Sequence, residues 1–171
     1  MFIIIMGVSG CGKTTIGRML AARLGWSFHD GDDFHPPENL KKMSSGIPLT
    51  DEDRQGWLQA LAEVIHRGEA AGESGIIACS ALKEKYRRVL GEGQPAVRFV
   101  YLAGSYEFIH ERMMNRAGHY MKPFMLQSQF ADLEEPVHAL KVDITRPPEE
   151  IVEDIFRHFF PPAERNQDSP L

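Results

Sequence analysis

The sequence predicts a single α/β domain built on a five-stranded parallel sheet. Phe2-Ile3-Ile4-Ile5-Met6 is an unbroken apolar run, the pattern of a strand covered on both faces. It stops abruptly at Gly7-Val8-Ser9-Gly10-Cys11-Gly12-Lys13-Thr14, whose G-x-x-x-x-G-K-[ST] spacing turns a strand into a helix around a phosphate. Short apolar runs then alternate with stretches of helical periodicity, the order that builds a parallel sheet through right-handed crossovers. A chain of 171 residues is long enough for one full hydrophobic core. The domain is expected over residues 1–160, with 161–171 as a polar, frayed tail.

Taken in order, Thr14–Leu24 places Ile16, Met19, Leu20 and Leu24 near helical spacing, with Arg18 and Arg23 outward and Gly25 as C-cap. Trp26–His29 alternates as a short second strand. Asp30-Gly31-Asp32-Asp33-Phe34-His35-Pro36-Pro37 follows. Residues just past a strand's carboxyl end face the ligand crevice of an open parallel sheet. An acidic turn alone is solvated loop chemistry. Beside a phosphate loop it supplies what phosphoryl transfer needs, a carboxylate for Mg²⁺ and one for the attacking hydroxyl.

Asn39–Met43 reads as a short helix closed by Ser44-Ser45-Gly46-Ile47-Pro48. A longer helix starts at Thr50 or Asp51, either of which can cap it, and carries Trp57, Leu58, Leu61 and Ile65 inward to about Arg67. Gly68–Gly75 is expected to be a polar connection and Ile76–Cys79 the third strand. Ser80 and Ala81 at that strand's end are small enough for close ligand approach. Lys83, Lys85, Arg87 and Arg88 ride a helix to Leu90, with most of that charge expected on a solvated face. Val97–Leu102 is the fourth strand. Ser105 caps a helix ending near Arg116, on which Arg112 and Arg116 share one face. Gly118-His119-Tyr120-Met121-Lys122-Pro123 has the mixed, hinge-like composition of a closing lid. Phe124–Leu133 resumes helix, Ala139–Asp143 is a weak last strand, and Pro148 opens a final helix to Phe160.

The chemistry of the loop follows from its residue types. Gly7, Gly10 and Gly12 let successive N–H groups converge on one point, and the following helix adds its positive end. Lys13 can reach the β- and γ-phosphates and the Thr14 hydroxyl can hold Mg²⁺. Val8, Ser9, Cys11 and Thr15 complete the expected ATP-binding set. A net charge of −5 with no long basic run argues against a nucleic-acid partner. Cys11 and Cys79, the only cysteines, are too few for a disulfide framework or a zinc site, and one inside the phosphate loop suits a reducing compartment. With no apolar span of membrane-crossing length, and Met1 leading straight into the first strand, a soluble cytoplasmic protein without a signal peptide is expected.

Further residues carry a resemblance: Gly31-Asp32-Asp33-Phe34-His35-Pro36 with Asn39, Lys42-Met43, Gly46-Ile47-Pro48-Leu49, Asp51-Glu52-Asp53-Arg54, Cys79-Ser80-Ala81-Leu82-Lys83 with Tyr86-Arg87, Gly118-His119-Tyr120, and Ser128-Gln129-Phe130. From about Phe2 to Phe160 the chain resembles the gluconokinases of the small P-loop type, relatives of shikimate and adenylate kinases. One departure is Gln55-Gly56-Trp57, where that family more often has proline before the tryptophan. The resemblance implies a three-layer P-loop kinase fold with strand order 2-3-1-4-5, a lid at about 116–126, ATP and Mg²⁺, and commonly a homodimer. The implied reaction is phosphorylation of D-gluconate at its 6-hydroxyl.

It also implies roles. Asp32 would accept the proton of the 6-hydroxyl, and Asp30 would support Mg²⁺ through water beside Thr14. Lys13 and Arg116 would neutralise the transferring phosphoryl group, and Arg112 would contact the nucleotide; sequence alone does not rank the two arginines. Arg54 is the better candidate for the substrate carboxylate, because its planar fork suits bidentate pairing. His35, Lys83, Tyr86, His119 and Gln129 are candidates for hydroxyl contacts, set against plainer roles in a turn, in packing or in helix–helix bonding. Two rivals stay open here, a P-loop kinase for another small hydroxy acid and a nucleotide-dependent switch. A guanine-reading Asn-Lys-x-Asp stretch, which a regulatory GTPase should carry, is absent from the sequence.

Overall fold

The computed structural model describes residues 1–115 and 123–162. Its elements are β1 (Phe2–Met6), α1 (Lys13–Leu24), β2 (Ser27–Asp30), a 3-10 turn (Gly31–Phe34), α2 (Pro37–Ser44), α3 (Asp51–Ala70) and β3 (Gly75–Ala78). They continue as α4 (Glu84–Val89), β4 (Val97–Ala103), α5 (Tyr106–Met114), α6 (Pro123–Asp132), β5 (Leu140–Asp143) and α7 (Pro148–Phe159). The five strands form one sheet in the order β2-β3-β1-β4-β5, and every pairing is parallel. The expected strand order is met.

β1 is central, which explains its continuous apolar character. Ile3 and Ile5 face a core completed by Leu20 of α1, Ile109 of α5 and Ile151 and Ile155 of α7. Phe2, Ile4 and Met6 face the other side, where Trp57, Leu61 and Ile65 of α3 and Tyr86 and Leu90 join them. Strand alternation thus sends each half of the run into its own helical layer. The carboxyl ends of β1, β2 and β3 open onto one edge, and the loops that follow them build the site.

Thr50 is the cap of α3. Its hydroxyl accepts from the Asp53 N–H at 3.2 Å, and the Asp53 carboxylate accepts from the Thr50 N–H at 2.9 Å, a reciprocal capping box.

Two expectations need correction. α3 continues through Gly68 to Ala70, so the polar connection is short. Gly68 is no break, because it lies against the Phe2 ring where a Cβ would collide, and packing overrides the propensity cost. Arg87 is not on a solvated face; it is 2 % exposed. Its guanidinium donates to the carbonyls of Ala81 and Leu82, at 3.2 Å each, and of Glu134 at 3.0 Å, and pairs with Glu92. A buried arginine is tolerated where such acceptors converge, and this one ties the end of β3 to the segment after α6. Smaller differences are at boundaries: α5 ends at Met114, and residues 123–126 of the expected lid form the first turn of α6. The rest of that lid and residues 163–171 lie outside the described residues. Among the described residues no helix is long and apolar enough to cross a membrane.

Candidate active site

β1 runs into the phosphate loop, where Gly7, Gly10 and Gly12 take φ values of 140°, 81° and 107°. These are left-handed conformations that a side chain would strain. Gly7 has a second constraint, because a Cβ would stand 2.9 Å from Cys11 Sγ and 3.0 Å from the Leu102 carbonyl. Cys11 is buried beneath the loop, and burial pushes its thiol up from the ordinary value, so it is a packing residue rather than a nucleophile. Lys13 opens α1 and folds back, its Nζ donating to the carbonyls of Gly7 and Val8 at 3.0 Å each. The next residue, Thr14, donates its hydroxyl to Asp30 Oδ2 at 2.9 Å.

Asp30 is thus shared between two elements. Its Oδ1 accepts from the Asp32 N–H at 3.2 Å, capping the 3-10 turn that carries Asp32 and Asp33. Gly31 lets this turn press against β3: a Cβ there would lie 2.5 Å from the Ala78 carbonyl. Trp57 secures it from the far side, its indole N–H donating to the Gly31 carbonyl at 2.7 Å in a buried bond. The His35 ring stacks on Trp57 with centroids 4.4 Å apart. Asp32 is exposed at the cavity edge, yet partial desolvation by the surrounding loops pushes its carboxyl above the usual range; Lys13 opposes that, and the Asp30 and Asp33 charges add to it.

Two cavities meet here. One lies over the phosphate loop between Lys13, Thr14, Asp30 and Asp32, with Met113 across it. The other is walled by His35, Leu49, Arg54, Ser80, Gln129 and Asp132. Ser9, Lys13 and Asp32 line both. A cation and a carboxylate at the junction of a phosphate chamber and a second polar chamber suit transfer of a phosphoryl group from one to the other.

The comparisons with known proteins agree with this geometry. The family model for shikimate kinase matches residues 9–157. The thermosensitive gluconokinase of Escherichia coli is 51% identical over 143 residues, which are 84% of this chain and 76% of that protein. The gluconokinase of Gluconobacter oxydans is 42% identical over 92% of this chain and 90% of its own. The chain belongs to the gluconokinase family. A crystal structure of the gluconokinase from Sinorhizobium meliloti superposes with a TM-score of 0.81 at 46% identity, covering 89% of this chain and 87% of that one.

The residues expected to serve a gluconokinase site are placed unequally. Arg54 lines the second cavity. Its Nε is buried without a hydrogen-bond partner among the described residues, while one Nη donates weakly to the Leu49 carbonyl at 3.4 Å. Gln129 also lines that cavity, but both ends of its amide are engaged: Ser9 N–H donates to Oε1 at 2.7 Å and Nε2 donates to Ser9 Oγ at 3.1 Å. Lys83 and Tyr86 do not line the cavity. Lys83 sits 3.5 Å from Asp51 and 3.3 Å from Asp132, and the Tyr86 hydroxyl donates to Asp51. Together they fasten α4 to the start of α3 and the end of α6. Arg112 borders a small third cavity beside Cys11 and Thr15, with Ile144, Arg146 and Pro148. Arg116 and His119 lie outside the described residues.

Ser80 lines the second cavity as its place at the strand end suggested, whereas sequence reading missed Asp132 as a lining residue, and Ile144 and Pro148 beside Arg112. Ser128 and Asp132, four apart on α6, carry a readable signal, since such residues share a helix face. The 144–148 segment has none, because its position comes from the sheet order.

Proposed function

We propose that the geometry supports ATP-dependent phosphorylation of D-gluconate at its 6-hydroxyl, with the roles divided as follows. The observation that carries this reading is the sharing of Lys13 and Asp32 between the two cavities. The phosphate-loop amides and Lys13 hold the triphosphate, and Lys13 neutralises charge on the transferring group. Asp32 takes the proton of the attacking hydroxyl, which its raised basicity favours. Arg54, with a buried nitrogen still to be satisfied, holds the gluconate carboxylate, and His35 a neighbouring oxygen. Arg112 serves the nucleotide from its place beside Thr15, and Arg116, by family resemblance, shares the phosphoryl charge.

The Thr14 hydroxyl and Asp30 carboxylate are a hard, all-oxygen pair that fits Mg²⁺, which is held by few protein ligands and completed by phosphate and water. Among the described residues no cluster of three or more His, Cys, Asp or Glu could hold a metal alone, consistent with a site finished by ATP. Bound there, Mg²⁺ would supply charge neutralisation on the phosphate oxygens. A cytoplasmic setting fits two buried free cysteines, and a homodimer rests on family resemblance.

The test is coupled ADP release with Mg-ATP against D-gluconate, shikimate, glycerate, AMP and no acceptor. A rate with gluconate alone is expected; a rate with another acceptor only would refute the substrate, and nucleotide binding without acceptor-dependent turnover would favour a switch. Arg54→Ala is expected to raise KM for gluconate about 10- to 100-fold, as loss of a charge-assisted bond implies, with little change in KM for ATP. The reverse pattern would assign Arg54 to the nucleotide.

A further inference from the structure

A chain of polar contacts from α3 to His35 bears on which ring nitrogen carries the proton. Asn39 of α2 is buried, 3 % exposed, and its Nδ2 lies 2.7 Å from the main-chain carbonyl of Asp53 in the first turn of α3. A carbonyl oxygen can only accept, so the NH₂ end of the amide must face it; the flipped amide would oppose two oxygens. Asp53 cannot drift from this position, because its carboxylate takes the Thr50 N–H and the Lys42 ammonium, the latter at 2.7 and 2.8 Å. The same Asn39 nitrogen lies 3.4 Å from His35 Nδ1. An amide NH₂ donates and does not accept, so a hydrogen bond across this contact requires Nδ1 as the acceptor, without a proton.

The neutral imidazole must then hold its hydrogen on Nε2. That nitrogen makes no bond among the described residues, and His35 lines the cavity together with Arg54. The neutral form itself is secured by position: one ring face is stacked on Trp57, and burial with the nearby Arg54 charge lowers the pKa to about 4.

We propose that Asn39 is a positioning residue that locks His35 as an Nε2–H donor, so that the acceptor cavity offers an uncharged donor beside the Arg54 guanidinium. One full positive charge and one neutral N–H match a single carboxylate, whose two oxygens each need a donor. The alternative tautomer would aim a lone pair at that carboxylate and repel it. The inference rests on the second cavity being the gluconate site, as read above, but its first test does not.

That test is a long-range ¹H–¹⁵N correlation spectrum of the ligand-free protein at neutral pH, with His35 assigned by the signals lost in His35→Gln. The expected result is the Nε2–H tautomer with an unprotonated Nδ1. An Nδ1–H tautomer, or an equal mixture, overturns the proposal and leaves the acceptor assay untouched. The second test is Asn39→Asp, whose carboxylate accepts and cannot donate. It should move the His35 proton to Nδ1 and raise KM for gluconate about 10-fold, the order expected for one charge-assisted bond, with kcat and KM for ATP little changed. A moved proton with an unchanged KM would sink the link to substrate. If this variant fails to fold, the wild-type spectrum alone decides the tautomer.

Discussion

Asp32→Asn is expected to lower kcat by about 10²- to 10⁴-fold, the usual contribution of a positioned base, while KM for ATP stays within a few-fold. The variant keeps the shape and the N–H that Asp30 accepts, so the turn between β2 and α2 should hold. What it loses is the atom that can take a proton at the mouth of both cavities. The same change should leave Tm at neutral pH equal to or above that of the parent. Partial desolvation and the neighbouring carboxylates raise the Asp32 carboxyl more than Lys13 lowers it. A carboxyl raised in the folded state binds its proton more tightly there than in the unfolded chain. Its ionisation therefore costs stability above the unfolded value of about 3.9, and not well below it. At pH 7 asparagine escapes that cost. The raised value also sets the acid limb of kcat/KM above the range of an ordinary aspartate. Full turnover in Asp32→Asn would remove Asp32 from the base role. Lost turnover with a collapsed Tm would make its role structural.

Lys13→Ala should lower kcat by roughly 10²- to 10³-fold, the scale seen when one preorganised donor is removed from a site of developing charge. Its ammonium already rests on the Gly7 and Val8 carbonyls, so little reorganisation is required when phosphate arrives. The loop amides remain in the variant, and ATP should still bind, more weakly. Steady-state kinetics with nucleotide titration separates the two effects. A variant with parental kcat would overturn the assignment of the site itself. Lys13→Arg should rescue poorly, because a flat guanidinium cannot lodge between the two carbonyls as a compact ammonium does.

Much of this site was legible because its signals are local. The loop announces itself by glycine and lysine spacing, and Thr50 marks where α3 begins, which sets Arg54 one turn inside it. Asp30 and Asp32 were placed by a rule about strand ends alone. The unread parts depend on partners far along the chain. Gln129 is a candidate for a substrate hydroxyl by resemblance, yet Ser9, 120 residues away, uses both ends of its amide. Lys83 and Tyr86 suggested substrate contacts, yet turn toward Asp51, a residue of another helix. Arg87 read as surface charge because nothing in its own helix shows that three carbonyls converge on it. Gly68 read as an interruption because the ring it accommodates belongs to Phe2.

The meeting of two cavities over Lys13 and Asp32 has an evolutionary consequence. The chamber for the donor comes almost wholly from residues 7–15 and 30–32, which follow directly on β1 and β2. The opposite wall is assembled from side chains of α2, the first turn of α3 and α6, which can change without altering the strands. Lineages can therefore exchange one substrate for another by rewriting that wall while inheriting the chemistry intact. A chain whose near relatives are gluconokinases, yet which the shikimate kinase family model matches over residues 9–157, is what such divided inheritance would leave behind.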